Sequence, residues 1–177
     1  GMLAILGSKI EDIEEILNNN SDSFKAEIAN DNSSVQLVLS GKIKDLELIN
    51  DFLKEKKIKS VKLPVSAPFH CSLMKRASDI MKVELSKLEF KKGINPLISN
   101  ITADEVLNID ELKELLIKQI ENRVRWRESI VNMINKGVSQ FIEIGPGKVL
   151  SGLVKRINKE VKVCSINNIE EIKNLKI

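Results

Sequence analysis

At 177 residues with 42% hydrophobic side chains, the chain can close the core of one ordinary domain, or of a small domain joined to part of a larger one. Lys and Arg outnumber Asp and Glu by only 28 to 25, and aromatic residues make up 3% with no Tyr, which excludes a broadly basic nucleic-acid surface and a base-stacking platform. Cys71 and Cys164 lack paired-ligand spacing, no apolar run approaches the ~20 residues of a membrane span, and the opening GMLAILGSK is too short and uncharged for a signal peptide, so a cytoplasmic protein with no metal, cofactor, nucleic acid or membrane is expected.

Residues 2–6 form an apolar run stopped by Gly7 and Ser8, and Ile10, Ile13, Ile16 and Leu17 then recur at helical spacing. Ser8 with Glu11 reads as a capping box for that helix, and the turn formers of residues 18–21 end it. Residues 24–29 and 35–39 read as two strands of a hairpin turning over residues 30–34. Ser40 and Gly41 then open a second helix with Ile43, Leu46, Ile49, Phe52 and Leu53 on one face, and residues 59–63 make a fourth strand. The order β-α-β-β-α-β is the ferredoxin-like pattern, two helices on one face of a four-stranded antiparallel sheet.

Beyond Ser66 the pattern changes to long helices alternating with single strands, as in open α/β sheets. Pro68 opens a helix with Leu73, Ala77, Ile80, Met81 and Leu85 inward, and residues 97–101 form a short strand. Asp110 caps a helix with Leu112, Leu115, Leu116 and Ile120 inward, and Trp126, Ile130, Met133 and Ile134 line another that stops at Gly137. A buried strand over residues 140–144, a Gly145-Pro146-Gly147 turn, a helix over 149–157 with Leu150, Leu153 and Ile157 inward, a strand over 161–166 and a short helix through Ile169, Ile172 and Leu175 complete the chain. The boundary falls near residues 62–66, giving domains 1–64 and 65–177.

The only histidine, His70, lies in LPVSAPFHCSLM, residues 63–74. With Pro68 in the first turn of a helix, the ring would sit near the positive end of the helix dipole, which favours a neutral imidazole able to accept a proton. A solvent-facing or capping histidine fits the same pattern.

The segment V-S-A-P-F-H-C-S-L-M resembles the catalytic-histidine segment of the malonyl-CoA:acyl carrier protein transacylases of fatty acid synthesis. ANDNSSVQLVLSG (29–41), KQIENRVRW (118–126) and FIEIGPGKVLSGLVKRI (141–157) resemble further stretches of that family, in its order and roughly its spacing. The resemblance implies a ferredoxin-like small subdomain followed by the C-terminal part of an α/β acyltransferase, hydrolase-like, large subdomain. It also implies transfer of a malonyl group from coenzyme A to an active-site serine and then to the phosphopantetheine thiol of acyl carrier protein. His70 takes the base's place, and Gln119 the place whose main-chain carbonyl orients it. Arg123 stands where the family has proline before V-x-W, and Ser33-Ser34-Val35 where it tends to a proline or glycine turn.

Such two-step transfer needs a nucleophile, and the family's G-x-S-x-G elbow is not in this sequence. GVSQF (137–141) has Phe141 in place of the second glycine and precedes a strand, Ser40 reads as a helix cap, and Cys71 points about 100° away from His70 if both are helical. The chain is therefore expected to be the C-terminal part of a transacylase, starting in the first strand of the small subdomain and inactive alone. The missing N-terminal part would be a partner, carrying the nucleophile, the oxyanion donors and the arginine that pairs with malonate. Gly1 is then a scar or the native residue before Met2. Gly145, Pro146, Gly147 and Lys148 do not make a phosphate loop, because Leu150 stands where a third glycine is needed.

Lys54, Lys56, Lys57, Lys59 and Lys62 give the small subdomain a basic edge, ordinarily a solvated helix end. Docking of an acidic carrier protein near Lys56 and Lys57, and near Lys75, Arg76, Lys155 and Arg156, is the functional reading. The rival functions are a non-catalytic carrier-protein-binding module and a related acyltransferase of other acyl choice; Ala67-Pro68-Phe69 before the histidine is malonyl-like.

Overall fold

The structure is a computed structural model and describes residues 1–175. The chain packs as two compact units, Gly1–Ser129 and Ile130–Ile177. Among the described residues no helix is long and apolar enough to cross a membrane.

The first unit opens with β1 (Met2–Leu6), α1 (Ile10–Asn19), β2 (Ala26–Ser33), β3 (Gln36–Gly41), α2 (Ile43–Glu55) and β4 (Lys59–Lys62). The strands form one antiparallel sheet in the order β2-β3-β1-β4, the element order expected from the sequence. Side chains alternate across a strand, so pairing Leu3 with Leu39 and Ile5 with Leu37 places all four on one face. There they join Ile13 of α1, Phe24, and Leu46, Ile49 and Leu53 of α2 in the main core. Phe24 and Phe52 meet edge to face with ring centroids 5.8 Å apart. Met2, Ala4, Ala29 and Val38 make a smaller cluster with Leu63 packed against it.

Several local expectations are corrected. Gly7, at φ +82°, donates its N–H to the Val35 carbonyl, and α1 starts at Ile10 with Lys9 as its N-cap. Ser8 is thus one residue short of the cap, and the Ser8/Glu11 box does not form. The hairpin turn is only Ser34 and Val35, because β2 runs on through Ser33 with irregularities between Ile28 and Asn30 and between Asp31 and Ser33. Ser40 is not a helix cap: it is a buried residue of β3, and α2 starts after Lys42 with no side-chain cap. Gly41 is needed where it is, since a Cβ there would meet the Lys25 carbonyl oxygen at 3.1 Å.

Past the sheet come a 3-10 turn (Ser72–Met74), α3 (Lys75–Ser86), α4 (Ile109–Glu121) and α5 (Trp126–Asn135), whose end belongs to the second unit. Leu73, Ile80 and Met81, expected inward, are exposed, and in α3 only Ser78 is buried. The expected strand over 97–101 is a single bridge between Ile98 and Glu105, because the segment folds back on residues 104–106 instead of meeting a sheet. Asn108, not Asp110, caps α4, its side chain accepting the Glu111 N–H at 2.8 Å, while Glu111 accepts from Leu107 N–H. Leu115 is buried there as expected, whereas Leu116 is exposed.

In the second unit α5 stops at Gly137, φ +96°, with Gly137 N–H on Ile134 O and Val138 N–H on Met133 O. β5 (Gln140–Ile144), α6 (Val149–Ile157) and β6 (Lys162–Ile166) form a β-α-β unit whose two strands pair in parallel, and α7 (Ile169–Lys173) follows, capped by Asn168. Glu143 accepts the Leu150 and Ser151 N–H groups at the start of α6, and the Ser151 hydroxyl first, then these backbone N–H groups, hold its carboxyl below the ordinary range. β5, expected to be buried, is only half-buried, and Ile144 at its end is 75% exposed, because a sheet of two strands leaves both flanks uncovered. Leu150 is likewise on the surface, while Leu153 and Val154 carry the buried face of α6.

Candidate functional site

His70 does not lie in a helix first turn. Pro68 and His70 precede the 3-10 turn, and His70 takes the left-handed backbone conformation, φ +60°. For a residue with a Cβ that conformation costs roughly 1–2 kcal/mol, so neighbouring contacts must hold it. Cys71 next to it is fully buried, its thiol 3.1 Å from the Pro68 carbonyl oxygen, which closes the loop on itself and turns that sulfur away from chemistry.

The ring is fixed from outside the loop. Nδ1 of His70 lies 2.8 Å from the main-chain carbonyl oxygen of Gln119, in the last turn of α4. A carbonyl can only accept, so Nδ1 carries the hydrogen. In the neutral ring Nε2 then keeps its lone pair, free to take a proton. The structure thus brings together the two sequence-derived site residues, 49 positions apart, through the backbone of one of them. The Gln119 side chain instead donates to the Asn122 carbonyl at 3.3 Å.

His70 is half-buried on the wall of an open cavity of about 360 Å³ shared with Glu14, Leu17, Glu27, Ile28 and Arg123. Arg123 donates to Glu14 of α1 at 3.1 Å, so the residue that departs from the family pattern ties the stretch after α4 back to the first helix. No group of histidine, cysteine or carboxylate side chains among the described residues could hold a metal ion.

Two arrangements were not foreseen from the sequence. Asp31, 1% exposed, shares the single Nε–H of Arg127 between its two oxygens at 3.0 Å each and accepts a second bond from Nη2 at 2.8 Å, fixing the start of α5 to β2. Glu27 of β2 accepts from the backbone N–H of Ser72 at 3.1 and 3.2 Å and from the Ser72 hydroxyl. Both contacts link positions far apart in the chain; Asp31 lies in a polar run that continues the strand, and Glu27 is a single carboxylate between Ala26 and Ile28, so neither carries a local signal of its partner.

The lysines expected to guide a partner lie on separate elements. Lys56 is the C-cap of α2 and Lys57 follows it, with Lys56 Nζ 5.6 Å from the Phe52 ring centroid, and Lys75 at the start of α3 pairs with Asp79. Lys155 is committed to the carbonyls of Lys159 and Val161, at 3.1 and 2.6 Å.

No family model matches the chain. It is 40% identical over 173 residues to the malonyl CoA-acyl carrier protein transacylase of Bacillus subtilis, an alignment that takes in 97% of this chain and 55% of that protein. The crystal structure of malonyl CoA-acyl carrier protein transacylase from Clostridium perfringens superimposes with a TM-score of 0.92 at 40% identity, over 98% of this chain and 55% of that one. A malonyl-transacylase in complex with its type II PKS acyl-carrier protein matches with a TM-score of 0.91 at 32% identity, over 98% and 56%. The chain spans about half the length of the relatives it matches. In sequence and in fold alike, it is a relative of the malonyl CoA-acyl carrier protein transacylases.

Proposed function

We propose that this chain supplies the base for malonyl transfer from coenzyme A to the phosphopantetheine thiol of an acyl carrier protein, through an acyl-serine whose hydroxyl comes from sequence outside these residues. The observation that carries this reading is the His70 Nδ1 to Gln119 carbonyl contact at 2.8 Å. In the first half-reaction Nε2 takes the serine proton as the oxygen attacks the malonyl thioester carbonyl, and the coenzyme A thiol leaves with that proton. In the second, Nε2 takes the carrier thiol's proton, sulfur attacks the acyl-serine, and the proton returns to the serine oxygen.

In fold terms, residues 1–64 correspond to a ferredoxin-like small subdomain and residues 65–177 to the C-terminal part of a hydrolase-like α/β acyltransferase subdomain. The compact unit ending at Ser129 takes in all of the first and the opening of the second. The G-x-S-x-G elbow, the oxyanion donors and the arginine for the malonyl carboxylate belong to the remainder of the enzyme. Mixing the chain with a polypeptide carrying that remainder, and following labelled malonyl transfer to carrier protein, tests the assignment. Activity only in the mixture, lost with His70→Ala, is the expected result; a stable acyl-enzyme on this chain alone would overturn it.

Carrier-protein docking is proposed on Lys56 and Lys57, and on Lys75 and Arg76, with Lys155 and Arg156 further candidates. Carrier proteins of this kind are acidic, and opposite charge speeds encounter. K56E/K57E in the mixture should raise the carrier-protein KM at low salt and leave the malonyl-CoA KM alone.

A further inference from the structure

Beyond the base and its carbonyl partner, we propose that Glu27 is a positioning residue for His70, and that β2 is the element that sets the spacing between His70 and Gln119. This rests on the reading of His70 as the base, but its test does not. Glu27 lies on β2 and binds both the N–H and the hydroxyl of Ser72, the residue that starts the 3-10 turn two positions after His70. With Cys71 buried between them, the left-handed turn at His70 is held at its C-terminal side by that carboxylate.

The same strand holds the other half of the site. Val124 donates its N–H to Ala29 at 2.8 Å and accepts from Asp31 N–H at 2.9 Å, a parallel bridge to β2 at Asn30. Val124 follows Gln119 by five residues, just past the end of α4. Loop and carbonyl are therefore both pinned to one strand, Glu27 on one side and Ala29 and Asp31 on the other. Glu27 also lines the cavity that His70 faces, but its carboxylate is occupied by Ser72, so it acts through the loop and not on a substrate.

His70 is the only imidazole in the chain, which gives an unobstructed readout. The ring nitrogens of the intact 177-residue chain are observed by long-range ¹H–¹⁵N correlation with the imidazole neutral. The parent should be dominated by the Nδ1–H tautomer that donation to Gln119 requires. Glu27→Ala should lose that dominance and move to the mixed tautomers of a free histidine. Glu27→Gln, whose side-chain oxygen can still accept from Ser72, should keep it. Ser72→Ala approaches the contact from the other side and should give a partial loss, which decides the matter even if Glu27→Ala fails to fold. Parent-like tautomer ratios in both Glu27→Ala and Ser72→Ala would overturn the proposal. Transfer activity that never appears in the mixture, together with a tautomer shift in Glu27→Ala, would overturn the transferase reading and leave Glu27 as the residue that seats the ring.

Discussion

An imidazole that donates to a peptide oxygen is indifferent to the side chain attached to that peptide. Gln119→Ala should therefore keep transfer in the reconstituted mixture within about threefold, whereas His70→Ala should lose about 10²- to 10⁴-fold, the usual contribution of a general base. Initial rates under saturating malonyl-CoA check both, and a large loss in Gln119→Ala would mean that the amide, not the carbonyl, does the orienting. This also marks what could be read at this scale beforehand. The histidine and the position of its partner were legible from the resemblance of their segments. The left-handed turn at His70 was not, because a positive φ at a residue other than glycine leaves no mark in composition or periodicity. Glu27 and Asp31 escaped because each meets a partner far along the chain, Ser72 and Arg127.

Among the elements, the strongest wagers concern β2 and α2. Asp31 is 1% exposed, so Arg127→Met would leave a buried carboxylate without its partner and should cost about 3 kcal/mol, measured by urea unfolding. Ile49→Ala should cost about 2–5 kcal/mol as a cavity in the main core, while Leu48→Ala, on an exposed position of the same helix, should stay within about 0.5 kcal/mol. Glu128, in the first turn of α5, is held below the ordinary carboxylate range by its hydrogen bonds from Arg125. A depressed folded-state value means stability that is present above the ordinary glutamate range and disappears as pH falls from that range through the folded-state value. The stability difference between the parent and Glu128→Gln should shrink over that acid range. Helices with a clear 3.6-residue repeat were readable, α1, α2 and α4 above all, whereas their caps were misjudged: Ser8 falls one residue before the Lys9 cap of α1, and Asp110 yields to the Asn108 side chain two residues earlier in α4. The 30–34 turn was misjudged for a different reason: Asn30 to Ser33 look like turn formers, yet tertiary contacts to Val124 and Arg127 draw them into the sheet.

For the molecule as a whole, the order of the first six elements could be read from apolar runs, helical spacing and turn formers, and what those patterns did not reveal was how little of the later part is covered. Ile144 and Val149 of the second unit are 75% and 71% exposed, and Ile94 and Leu107 of the first are 100% and 83% exposed. Surfaces of that kind associate. Sedimentation velocity of the chain alone should show concentration-dependent self-association that the complementary polypeptide suppresses; a monodisperse monomer at high concentration would count against the proposed missing half. The two irregularities in β2 add a separate consequence. Deleting Ala29 would remove the first irregularity and leave the second, keeping Glu27 opposite Ser40 and Ile28 opposite Leu39 while taking away the carbonyl that accepts the Val124 N–H. Such a deletant should still melt as a cooperative fold and yet hold the stretch after α4, and with it the Gln119 carbonyl, at a changed spacing from the imidazole, so in this strand soundness of the sheet and readiness for proton transfer can be inherited separately.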